Sequence, residues 1–164
     1  MTATTTNSVM SPPRNYRPIL YGGLLAGTLD ILAAIVKGAF DGLNAEIILQ
    51  SVASGLLGGK AFDPGIVGAA TGLLLHFLIM FVIGAIFVAA SRRIAFLLRH
   101  TVVSGVLYGV GVYLVMNFVV LPLSAIPFQL NYSVAEIIIG LSIHVTCVGL
   151  PIAWTMKHCG GKYS

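Results

Sequence analysis

Apolar residues fall into four long windows, 18–36, 64–90, 105–124 and 133–156, with short polar stretches between them. A bilayer core about 30 Å thick takes about 20 apolar residues in helical form, so each window predicts a membrane-crossing helix. The second is long enough to tilt. Asp63 before Pro64 predicts an N-cap followed by a first-turn proline. Ser133-Val134-Ala135-Glu136 reads as a capping box at the start of the fourth window. Residues 1–17, rich in Thr, Ser, Asn and Pro, predict a disordered cytoplasmic tail, and 158–164 a short polar one. The expected fold is therefore an all-α integral membrane protein: a four-helix transmembrane bundle forming a single membrane domain over 18–157.

Segment 44–59 fits none of these windows. At about 1.5 Å per residue it reaches about 24 Å, short of a full crossing. Glu46, Gln50 and Ser54 recur every four residues, opposite Ile48, Leu49, Val52 and Leu56. That stripe predicts an amphipathic helix lying on the outer surface, or one re-entering between the spans. The surface position is the simpler expectation.

Composition narrows the class. The chain is 57% hydrophobic and 9% charged, where soluble domains carry about 25% charged residues, so a water-soluble monomer is excluded. The net charge of +4 follows no continuous basic stripe, which argues against nucleic acid as a partner; the partner implied is the lipid bilayer. With alternating helices, Arg14, Arg17, Arg92, Arg93, Arg99, Lys157 and Lys162 share one side and only Lys37 and Lys60 the other. By the positive-inside rule both termini are then cytoplasmic, and a fifth span through 44–59 would place the Arg92–Arg99 group outside. Tyr16 and Trp154 would sit at the inner interface, Phe128 and Tyr132 at the outer one. Asp30 in the first window, with no small-x-small cleavage pattern after it, favours a retained anchor over a signal peptide. Cys147 and Cys159 form neither a disulfide scaffold nor a metal cluster.

The windows carry an internal echo. Leu20-Tyr21-Gly22 precedes Asp30 as Leu107-Tyr108-Gly109 precedes Asn117, and Gly72 precedes His76 as Gly140 precedes His144, each time at the same spacing. The order is consistent with two duplicated helical hairpins. Counted from the window edges, Asp30, His76, Asn117 and His144 each lie about 16–18 Å into their helices, near the bilayer midplane. A charge there is disfavoured by about 2.5–3.5 kcal/mol on insertion scales, so it should face the interior and find a partner; Asp30 with a histidine is the expected pair. The structural alternative is that these four side chains only tie helices together. Gly23 and Gly27, Gly68 and Gly72, and Gly105 and Gly109 form small-xxx-small pairs that allow close helix packing, within one chain or, alternatively, in a homo-oligomer. Glu136 is accounted for by its capping position.

No phosphate loop, His-Glu-x-x-His, Cys-x-x-Cys or nucleophile elbow occurs, so no catalytic residue or metal ligand is assigned and an enzyme is not expected. Pro122-Leu123, Pro127, and Ser133-Val134-Ala135-Glu136-Ile137 opening a last helix with Gly140, His144 and then basic residues resemble the C-terminal part of the YagU-like family of bacterial inner-membrane proteins. The resemblance implies location and fold and carries no activity. Three functional readings follow. The first is movement or sensing of a small solute or protons through the four-residue cluster. The second is a non-catalytic structural or assembly partner. The third makes His76 and His144 the axial ligands of a b-type haem, with Gly72 and Gly140 leaving room for the macrocycle.

Overall fold

The computed structural model describes residues 16–130 and 132–159. The tail expected over 1–15, the stretch 160–164, and with them Arg14 and Lys162, lie outside the described residues. Every regular element among those described is helical. Four helices are long and apolar enough to cross a membrane: α1 (Arg17–Phe40), α3 (Ile66–Ser91), α5 (Thr101–Val120) and α6 (Val134–Cys159). Two shorter ones, α2 (Ala45–Leu57) and α4 (Phe96–Arg99), lie between them. Arg17, His158 and Cys159, expected in the tails, belong to α1 and α6.

Helix starts follow local chemistry. Asn44 Oδ1 accepts from Ile47 N at 2.9 Å to begin α2, and Ser133 Oγ accepts from Glu136 N at 3.3 Å to begin α6. Asp63 does not cap α3. The chain turns at Gly65, whose φ of +116° suits only glycine, and the helix begins one residue later. α5 starts and ends one turn earlier than the 105–124 window: only His100 separates Thr101 from the short α4, and Pro122 blocks continuation although apolar residues run on to Leu123.

Prolines also explain two widened turns. A helical proline cannot donate to the carbonyl four residues back, and its ring pushes that carbonyl away. Just before Pro122, α5 opens into a π-turn at Met116–Val120, with Leu121 N bonded to Met116 O at 2.9 Å. Just before Pro151, α6 opens into another at His144–Gly149. Asn117 lies in the first and His144 in the second.

α1 packs against both α3 and α6, and α6 packs along α5, whereas α3 and α5 make little close backbone approach. One end of the bundle carries Arg17, Arg92, Arg93, Arg99 and Lys157. At the other end α1 and α5 finish and α3 and α6 begin. There α2 lies across the bundle, from Gly38 of α1, which meets Ile48, to the segment after α5, where Ala125 N donates to Gly55 O at 3.0 Å. We refer to these as the basic end and the capped end. Tyr16 and Trp154 are exposed at the basic end, Phe128 and Tyr132 at the capped end.

The polar stripe of 44–59 does not face outward, as a helix lying on the outer surface would have it. Gln50, Ala53 and Ser54 are buried and α2 rests on α3, its Leu49 carbonyl directly over Gly72 and Gln50 beside Gly68. Small size and local bonding explain the inversion. Ser54 Oγ donates to Ser51 O at 2.8 Å and Gln50 Nε2 to Glu46 Oε1 at 3.4 Å, so both find partners within the helix, and Ala53 and Ser54 let two backbones approach where Leu or Ile would hold them apart.

All six paired glycines are used inside the chain. Gly23 and Gly27 receive Phe81 and Phe77 of α3, and Gly68 and Gly72 receive Ala61 and α2. Gly105 and Gly109 meet α6, where a β-carbon on Gly109 would stand 2.6 Å from Val145 Cα. Gly149 completes that crossing from the α6 side, touching Gly105 and Gly109. A contact between copies would therefore use other faces. The solid core lies toward the basic end, around Phe87, Val88, Val148, Ile152, Ala153 and Met156.

Candidate functional site

Asp30, His76, Asn117 and His144 come from four helices and line a single cavity of about 560 Å³ in the capped half. The cavity occupies the gap that α3 and α5 leave between them. α2 contributes Ile48, Ser51, Val52, Gly55 and Leu56 to its wall, and the segment after α5 contributes Ser124, Ile126, Phe128 and Leu130. Toward the basic end, Tyr108 spans the gap. Its hydroxyl donates to Ile83 O at 2.6 Å and its ring meets Phe87 edge-on with centroids 4.9 Å apart.

Depth separates one of the four from the rest. Asp30 lies 10 residues before the end of α1, and His76 and His144 lie 10 after the first residues of α3 and α6. All three are thus about 15 Å along their helices from the capped end. Asn117 is 3 residues from the end of α5, about 5 Å by the same rise. It belongs to the upper wall, not to the common level expected from the window edges; the one-turn shift of α5 is the cause.

The expected pairing of Asp30 with a histidine is also corrected. His76 Nε2 donates to Gly27 O of α1 at 2.8 Å, and His144 Nδ1 donates to Gly140 O at 2.8 Å within its own helix. Asn117 Nδ2 donates to Tyr113 O at 3.0 Å. Among the described residues no hydrogen bond or close ion pair joins any two of the four, although both histidines lie within electrostatic range of the Asp30 carboxyl. His76 is buried; the other three are half-buried, opening to the cavity. Backbone carbonyls thus engage one nitrogen of each histidine, and Asp30 borders the cavity.

The two hairpins use their matching residues differently. Tyr21 is exposed where Tyr108 bridges to α3, and Gly72 meets the backbone of α2 where Gly140 meets the Tyr113 ring. These contacts remove the room that a haem would need. The open side of Gly72 is filled by Leu49 and Ala53, and that of Gly140 by Tyr113 at 2.9 Å from a would-be β-carbon. With His76 Nε2 held by Gly27, the residues present do not fit a bis-histidine haem, and no step is derived through one. Among the described residues no group of three His, Cys, Asp or Glu side chains is placed to hold a metal ion.

Glu136 has a second role beyond capping. Its Oε2 pairs with Lys37 Nζ at 3.1 Å, and Lys37 also meets Asp41 Oδ2 at 2.6 Å, tying α6 to α1 at the capped end. Sequence reasoning also missed Ser51 and Ser124 in the cavity wall and the Tyr108 bridge. A tyrosine inside an apolar span, with a hydroxyl that must find a partner, was the available signal for the last. Comparison with family models, with curated protein sequences and with solved structures returned no match. Fold and site together define a four-helix membrane protein with a cavity roofed by the short, non-spanning α2.

Proposed function

We propose that this protein moves or senses a small solute or protons across a bacterial inner membrane, without catalysis, using the cavity lined by Asp30, His76, Asn117 and His144. The observation that carries the reading is the Asp30 carboxyl: an acid within an apolar span, with no hydrogen-bond partner among the described residues, lining the cavity beside two histidines. Such a group is unfavourable in a purely structural role and is suited to exchanging protons or meeting a ligand. The assembly-partner alternative draws on the His76–Gly27 bond, the one interhelical hydrogen bond made by the four side chains among the described residues. It leaves Asp30 without a purpose. Membership of the YagU-like family is proposed on the C-terminal motif alone.

Purified protein in liposomes bearing an internal pH dye tests the proposal. Proton-linked flux should appear with wild type and disappear in the Asp30→Asn, His76→Ala double variant; wild-type flux in that variant would remove the cluster from the mechanism. The positive-inside distribution supports cytoplasmic termini. A periplasm-active phosphatase should be active when fused after Lys60 and silent after Lys162, and the reverse pattern would invert the topology.

A further inference from the structure

The hydrogen-bonding inventory of the cavity is one-sided. Six polar side chains line it: Asp30, Ser51, His76, Asn117, Ser124 and His144. Ser51 Oγ donates to Ile47 O at 2.8 Å and Ser124 Oγ to Leu121 O at 2.6 Å. A carbonyl oxygen only accepts, so the bonds to Gly27 and Gly140 place the proton of each neutral imidazole on His76 Nε2 and His144 Nδ1. His76 Nδ1 and His144 Nε2 are then lone pairs. Asn117 has one amide hydrogen engaged by Tyr113 O. The described side chains of the wall thus offer a carboxyl, two unprotonated imidazole nitrogens, two hydroxyl oxygens and an amide oxygen, against a single remaining amide hydrogen. Among the described residues no lysine or arginine lines it, and the rest of its described wall is apolar.

From this we propose that the cavity is a binding site for an organic ammonium ion, a protonated amine on a compact apolar body. The inference rests on the function proposed above and names its ligand class. An ammonium supplies up to three donors and a positive charge, matching an acceptor lining around one acid. The apolar body fills walls built from Leu75, Ile79 and Met80 and their neighbours. A volume of about 560 Å³ lies in the ordinary range for small-ligand sites, about 300–1,000 Å³. Among the described residues an anion would meet one free amide hydrogen, and a bare metal ion would meet no triad of ligands. The capped end, where α2 and the segment after α5 enclose the cavity, carries Asp41, Glu46, Asp63 and Glu136 against Lys37 and Lys60, a field that raises the local concentration of cations.

The test is equilibrium dialysis with the full chain in lipid nanodiscs, protein-free nanodiscs serving as the blank. Three radiolabelled probes share one rigid body and differ in head group: 1-aminoadamantane, 1-hydroxyadamantane and 1-adamantanecarboxylate. Flexible n-heptylamine is the fourth probe. The expected result is saturable binding of both amines, at least tenfold weaker binding of the alcohol, and none of the carboxylate. Asp30→Asn should weaken amine binding at least tenfold. Ile79→Trp, which fills the cavity and leaves the acid in place, should abolish it. Equal binding of alcohol and amine, preference for the carboxylate, or no saturable binding of either amine would overturn the inference. Proton flux that still depends on Asp30 would in that case leave the function proposed above standing; loss of both would remove both.

Discussion

The two halves of this bundle solve the membrane problem in opposite ways. Toward the basic end, Phe87, Val148, Ile152 and Met156 are almost completely buried, Gly105, Gly109 and Gly149 bring α5 and α6 into backbone contact, and Tyr108 closes the gap to α3. Toward the capped end the same helices splay around a cavity, and a short helix covers what they fail to fill. Lipid tails are as apolar as leucine, so packing and not hydrophobic burial holds helices together in a bilayer. The packed half therefore carries the fold and leaves the hollow half free to hold a site.

That division sets an order of expected effects. Gly149→Val should act most strongly: its side chain would collide with Gly105 and Gly109 backbone, so the variant should fail to give a monodisperse protein in detergent. Gly111→Val, on a face with open space, should purify like wild type. Equal behaviour of the two would break the assignment of α5–α6 contact to the packed half.

Next comes Phe87→Ala, expected to lower unfolding free energy by about 3–5 kcal/mol. Leu75→Ala, at a half-buried residue of the cavity wall, should lower it by no more than about 1 kcal/mol. Denaturation followed through the lone tryptophan, Trp154, measures both, and comparable losses would erase the contrast between the halves. Tyr108→Phe, at their boundary, should lose about 0.5–1.5 kcal/mol for its hydrogen bond. No change would mean that the bridge to Ile83 does not close the gap.

How much of this was legible follows from what a membrane rewards. The four spans were plain, because apolar windows of that length have no other stable home. The glycine pairs were plain too, though not their partners: Gly68 and Gly72 receive α2, which hydropathy alone would lay on the surface. Polarity sorts helix faces in water, whereas here the smallness of Ala53 and Ser54 decided which face of α2 turns inward. Asp30, His76 and His144 were found by depth arithmetic. Asn117 was misplaced because an apolar run does not reveal where Pro122 ends a helix. The histidine bonds to Gly27 and Gly140 were out of reach of a sequence pattern, because a backbone carbonyl is available at every position and only the packing selects one.

The most direct test of the central claim, that the acid of the hollow half serves function and not fold, is the unfolding midpoint of Asp30→Asn measured beside its proton flux in liposomes. Asp30 makes no hydrogen bond among the described residues, and the substitution takes an ionisable group out of the membrane interior. The expected result is a midpoint equal to or above wild type together with lost flux. A lowered midpoint with flux intact would contradict the account and return the cluster to a structural role.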